Sequence, residues 1–273
     1  MIRVKPVTRP ILLAVIFIVS LLVATLANTE GTPPCVVDAE AIGNFDWSPN
    51  GHTIAFSSNC GILLLDEALE ELTGILALDN IVNVGVVAYN HDGSLLAASL
   101  AHSEAGITVW DTFTGSTIQT IPNQFSTMPI AWHPSQDIFV FGYDGEMLFY
   151  DMQSSMVVFQ FNPSYSDEIM GNYPTLACWS PQGSYVLLSF MYAPEYLITF
   201  PAWETAQGNM GSYYGGACSP DATLLAGLGG EIRDLSTNAV THPNVECAGV
   251  SVAWRTNGAE EHAVNCRDQT VRV

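Results

Sequence analysis

The sequence predicts an all-β fold of radially repeated four-stranded sheets, a β-propeller, and three observations predict it. A short motif returns six times with a period near forty residues. Each copy reads as a hairpin, with Asn-Gly, Asp-Gly or Pro-x-Gly turns between apolar runs. In most copies a third and a fourth apolar strand follow before the next copy begins.

The copies run in order along the chain. The first is Phe45-Asp46-Trp47-Ser48-Pro49-Asn50-Gly51, followed by Thr53 to Phe56. The second is Val87-Ala88-Tyr89-Asn90-His91-Asp92-Gly93 with Ser94 to Ala97, and the third is Ile130-Ala131-Trp132-His133-Pro134 with Ile138 to Phe141. The fourth is Ala177-Cys178-Trp179-Ser180-Pro181-Gln182-Gly183 with Tyr185 to Leu188. The fifth is Ala217-Cys218-Ser219-Pro220-Asp221 with Leu224 to Ala226, and the sixth is Val252-Ala253-Trp254-Arg255-Thr256-Asn257-Gly258 with His262 to Val264. The key positions 47, 89, 132, 179, 218 and 254 are 42, 43, 47, 39 and 36 residues apart. Third strands are expected at 61–66, 106–111 and 146–151, and fourth strands at 116–121 and 156–161. The stretch from Asp66 to Leu78 also scans as an amphipathic helix through Leu69, Leu72 and Leu76. Repeat alignment instead places strand three's end and strand four there, and the repeat takes precedence.

These residues resemble the WD-repeat family. The best match is Gly106-Ile107-Thr108-Val109-Trp110-Asp111 followed by Gly115-Ser116, and Asp268 to Val273 is similar to the family's third strand. The hairpins also resemble the Ser-Pro-Asp-Gly blades of TolB-type propellers. No Gly-His dipeptide opens any copy, and the fourth copy lacks the Asp, so the family's buried Asp-His-Ser/Thr network is not carried over. The resemblance covers roughly residues 41–273 and implies a propeller, with six four-stranded blades on the repeat count. Cys35 to Ala39 are expected to supply the missing fourth strand of the sixth blade and close the ring. A truncated seven-blade ring is the alternative.

Ahead of the propeller, residues 28–40 read as linker and closing strand, and residues 1–27 as a signal peptide or a membrane anchor. Ile11 to Ala27 carry no charge and follow Arg3, Lys5 and Arg9. Cleavage after Ala27 gives a secreted protein, whereas an uncleaved segment 11–27 gives membrane attachment. Both place the rest of the chain outside the cytoplasm. Pro33-Pro34 ahead of Cys35 do not suit a lipoprotein signal.

Composition narrows the function. The 273 residues are 48% hydrophobic and 12% charged, with Lys+Arg 7 against Asp+Glu 27 and a net charge of −20. Lys5 is the one lysine, which removes P-loop and Schiff-base chemistry. So acidic a chain does not suit nucleic acid, which is bound largely by neutralising phosphates. No catalytic, cofactor-binding or metal motif occurs, and no cofactor is expected. The dense acids Asp66, Glu67, Glu70 and Glu71 match no calcium loop and read as a solvated edge. His91 and His133 fall at repeated turns and read as structural.

Six cysteines in an extracytoplasmic chain suggest disulfides. Cys247 and Cys266 fall nearly opposite across one hairpin and are expected to pair. Cys178 and Cys218 lie on the inner strands of neighbouring blades, one residue out of register, and either face each other or point apart. Cys35 and Cys60 pair only by elimination. Some of the six are alternatively small buried apolar residues.

Two functions remain open: a non-catalytic scaffold for a protein or small-molecule partner, or a propeller hydrolase using channel carboxylates. The scaffold's binding face is expected on loops around blades four and five, carrying Tyr165, Asp167, Glu168, Tyr192, Glu195, Tyr213 and Tyr214. Tyr suits interface hot spots, and acids select a basic or cationic partner. These Tyr alternatively cap the core at strand ends.

Overall fold

A computed structural model of the chain describes residues 44–59, 61–68, 71–76, 84–100, 106–122, 129–163, 173–191, 195–207, 216–219, 223–227, 231–234, 239–241, 249–254, 262–266 and 271–272. Five antiparallel sheets of four strands follow one another along the chain. Blade one is β1 (Phe45–Trp47), β2 (Thr53–Ser58), β3 (Gly61–Asp66) and β4 (Leu72–Leu76). Blade two is β5 (Val84–Tyr89), β6 (Leu95–Leu100), β7 (Ile107–Asp111) and β8 (Thr117–Ile121). Blade three is β9 (Ile130–Trp132), β10 (Ile138–Tyr143), β11 (Glu146–Asp151) and β12 (Met156–Phe161). Blade four is β13 (Tyr173–Trp179), β14 (Tyr185–Met191), β15 (Tyr196–Thr199) and β16 (Thr205–Gln207). Blade five is β17 (Gly216–Cys218), β18 (Leu224–Gly227), β19 (Ile232–Asp234) and β20 (Val240–Thr241). A three-stranded sheet of β21 (Gly249–Trp254), β22 (His262–Cys266) and β23 (Val271–Arg272) comes last.

The first strands contact one another in chain order, and β21 lies against both β17 and β1. The arrangement is that of a propeller, with five four-stranded blades among the described residues rather than the six expected. The last sheet stops at three strands. The segment 35–39, expected to supply its fourth strand, lies outside the described residues, as do the expected signal or anchor 1–27 and the linker 28–40. Asp66 ends a strand and Leu72–Leu76 form the next, so the amphipathic spacing there is that of a strand pair.

The repeated motif forms hairpins for a local reason. In four of the copies the small polar residue after the key position accepts the backbone N–H five residues on: Ser48 from Thr53 at 2.9 Å, Asn90 from Leu95 at 3.0 Å, Ser180 from Tyr185 at 3.1 Å and Ser219 from Leu224 at 2.9 Å. Gly51, Gly93 and Gly183 supply the left-handed backbone that these turns need, at φ +74°, +77° and +67°. The turn between strands three and four is capped in the same manner. Asp66 Oδ1 accepts from Glu71, Asp111 Oδ1 from Phe113 and Thr114, and Asp151 Oδ1 from Gln153. Where the fourth copy lacks the Asp, the Thr199 hydroxyl accepts Glu204 N–H at 3.1 Å and serves the same turn.

The middle strands of blades one to three are buried on both faces against neighbours, which is why they read as unbroken apolar runs such as Ile62–Leu65 and Phe139–Phe141. The core is divided into seams. Ile62, Leu64 and Leu76 of blade one meet Val87, Leu96 and Trp110 of blade two. Phe149 and Phe161 of blade three meet Trp179, Phe190 and Ile198 of blade four.

A single position joins the inner strands across four seams. Tyr89 N–H donates to Asp46 Oδ2 at 2.8 Å. The Trp132 indole N–H donates to Ala88 O at 3.0 Å, and the Trp179 indole N–H to Ala131 O at 3.2 Å. At the fourth seam Cys218 is disulfide-bonded to Cys178, with the Cα atoms 5.9 Å apart. In every case the key residue of one blade meets the residue just before the key position of the blade preceding it. The one-residue offset between the two cysteines is therefore what this seam geometry requires.

Candidate functional site

Loops between strands two and three share a face with the loops that lead into the next blade. On this face the chain closes β10 onto β11 through Asp144-Gly145, both with positive φ (45° and 80°), a tight hairpin turn. The turn presents an exposed Asp144 and the Glu146 carboxylate. Glu146 accepts hydrogen bonds from Gln160 and, at 2.7 Å, from Asn162, so its charge is fixed beside the exit from blade three. Tyr173 opens β13 on the same face and is 59% exposed. Sequence reasoning passed over Tyr173, which lies eight residues beyond the expected Tyr165.

Of the expected binding residues, Tyr165, Asp167, Glu168, Tyr192, Tyr213 and Tyr214 lie outside the described residues. Glu195 is described, and it does not face a partner. Its side chain is buried and accepts Arg233 Nη1 at 2.7 Å, bridging blades four and five. A buried guanidinium left without this carboxylate would be costly, so the pair holds the seam. Cys178 and Cys218 pair as described. Cys35, Cys60 and Cys247 lie outside the described residues, and the strand partner of Cys266 is Gly249.

The surface charge is one-sided. The described residues hold two bases, Arg233, which is buried, and Arg272 on β23. Glu67, Glu71, Asp92, Asp137, Asp144 and Glu204 are exposed. Two of them meet imidazoles, Glu67 with His52 at 2.9 Å and Asp137 with His91 at 3.6 Å. Hydrogen bonds from Ser94 hold the Asp92 carboxyl below its ordinary range, and those from Thr114 do the same for Asp111, so both stay ionised at turns.

Among the described residues the inner strands carry one carboxyl, Asp46. Burial raises it from 3.8 to about 7, against the pull of the Tyr89 and Trp47 amides. The residue as a whole is half-buried, but its carboxyl is walled in between blades one and two, and both oxygens accept backbone N–H groups. Glycoside hydrolysis works with two carboxyls flanking the bond. Asp46 stands without a second on these strands, and its oxygens are committed to the seam.

His133 is the other perturbed group. It is buried, packs edge-on to Trp179 at 4.8 Å and meets the Gly183 carbonyl at 3.1 Å. Burial pushes its imidazole below the usual 6.5. The two groups give opposite pH arms. Stability from Asp46 is full below about 4 and is lost as pH rises through about 7; stability from His133 is full above about 6.5 and is lost as pH falls. Thermal melts from pH 4 to 8 are expected to show D46N without the decline towards alkaline pH and H133N without the decline towards acid. Parallel pH profiles for D46N and the parent would assign the alkaline arm to other groups.

No protein-family model matches the chain, and no curated protein matches it.

Proposed function

We propose that this chain is a WD-repeat-like propeller working outside the cytoplasm as a non-catalytic scaffold for a basic or cationic partner. The observation that carries this reading is the surface: acids are exposed over several blades, while the described residues include only two arginines, one of which, Arg233, is buried against Glu195. Such a field draws in cationic partners and repels anionic ones. The Cys178–Cys218 disulfide supports an oxidising compartment. Release into the medium and attachment through residues 11–27 are both compatible with the scaffold. The tyrosine-bearing loops around blades four and five remain its proposed contact face, joined by Tyr173, while Glu195 serves the seam between blades four and five.

The test is capture on the immobilised full chain from the host's envelope and medium. Retained proteins are expected to be enriched in basic species and to elute as salt is raised, since screening weakens exposed charge contacts. A retained set no more basic than the input, or one indifferent to salt, overturns the reading.

A further inference from the structure

The outer edge of blade three differs from the other outer strands. β12 is six residues long, carries no charge, glycine or proline, and pairs only with β11. A register shift leaves Val158 without a strand partner and breaks the alternation of sides, so Met156, Val157 and Val158 are exposed in succession at 64%, 44% and 43%. The other outer strands expose far less: Ile118 on β8, Val240 on β20, and no large apolar side chain on β4 or β16. Bare edges of this kind are normally protected by lysine, proline or a cover, because unpaired backbone groups recruit another strand.

Two carboxylates bracket this edge. Asp151 is the strand partner of Met156 at one end, and Glu146 takes hydrogen bonds from Gln160 and Asn162 at the other. Neither is in an ion pair among the described residues. They stand five positions apart on β11, one strand in from the edge, about 17 Å at the usual rise per residue. In an antiparallel pair of β12 strands about a two-fold axis, Asp151 of one chain and Glu146 of the other would lie three strand spacings apart, about 14 Å. The β12 of a second copy carries no Lys or Arg, so it would bring no cation to either carboxylate.

We infer that β12 is a docking edge for an extended segment of a basic partner protein, which adds a strand to blade three. Its apolar centre covers Met156, Val157 and Val158, and a Lys or Arg at each end, about five residues apart, meets Asp151 and Glu146. This rests on the acidic-scaffold reading and adds the place and the spacing of recognition.

The probe is a fluorescein-labelled hexapeptide, Lys-Val-Thr-Val-Thr-Lys, titrated against the full chain by anisotropy. Binding is expected to be about tenfold weaker for a peptide with Glu at both ends. The double variant M156K/V158K is expected to lose about tenfold in affinity with an unchanged melting temperature, and E146Q/D151N about three- to tenfold. No binding to the parent, or equal binding by all three proteins, overturns the docking edge. Salt-sensitive capture of basic proteins would then still stand, which separates this failure from failure of the scaffold itself. A parent that sediments as a dimer while M156K/V158K is a monomer would assign the edge to a second copy and overturn the basic partner.

Discussion

Trp179→Ala is expected to lower unfolding stability by about 3–5 kcal/mol, the usual cost of emptying a large aromatic from a core. The indole lies in the seam between blades three and four, 8% exposed, edge-on to Phe149 at 5.9 Å and to Phe200 at 5.7 Å. Its N–H also satisfies the Ala131 carbonyl. Trp179→Phe separates the two contributions. It keeps most of the ring and leaves the carbonyl without its donor, at about 1–2 kcal/mol. Urea unfolding of the three proteins measures both steps. Trp179→Ala within 1 kcal/mol of the parent, an order-of-magnitude bound for ordinary surface changes, would mean that the seam closes around the gap.

Removing the disulfide as C178S/C218S is expected to cost about 4 kcal/mol. The cross-link closes a loop with a sequence separation of 40, and the loop-closure estimate for that length gives the figure. The effect should be non-additive with Trp179→Ala, because residues 178 and 179 are adjacent and serve consecutive seams. Unfolding midpoints in urea, with and without reductant, provide the check. Reductant should lower the midpoint of the parent more than that of the double variant, which keeps Cys35, Cys60, Cys247 and Cys266. An equal midpoint for parent and double variant would show that the inner strands hold this seam without the covalent link.

The blades were legible because their signals are local. Phe45 to Gly51 and the other hairpin motifs carry their own turn chemistry, and each expected third and fourth strand from 106 to 161 lies within one residue of the observed one. Asp66 to Leu78 was ambiguous locally, and only the period decided it. What lay hidden was contact between blades. Nothing near Glu195 in the sequence says that Arg233, 38 residues on, will take its carboxylate. Likewise Asp46 looks like an ordinary turn-side acid until Tyr89 of the next blade closes over it. The cysteine pair was undecided for the same reason: parity along a strand does not say which seam a side chain enters. The docking edge was half legible. Met156 to Phe161 read as a fourth strand, but the bulge that exposes three neighbours together depends on its pairing with β11.

The seam position has a consequence for how such a chain can change over generations. At two seams the acceptor is a main-chain carbonyl, of Ala88 and Ala131, and at the first the donor is the main-chain amide of Tyr89. No side-chain substitution at the alanines deletes those acceptors, so only one member of each pair is tied to a residue type. Those seams can drift one mutation at a time, which lets repeats lose their likeness while the ring keeps its joints. The Cys178–Cys218 seam is different, because both halves are side chains. Losing either cysteine strands the other, so that joint must be gained or lost as a pair.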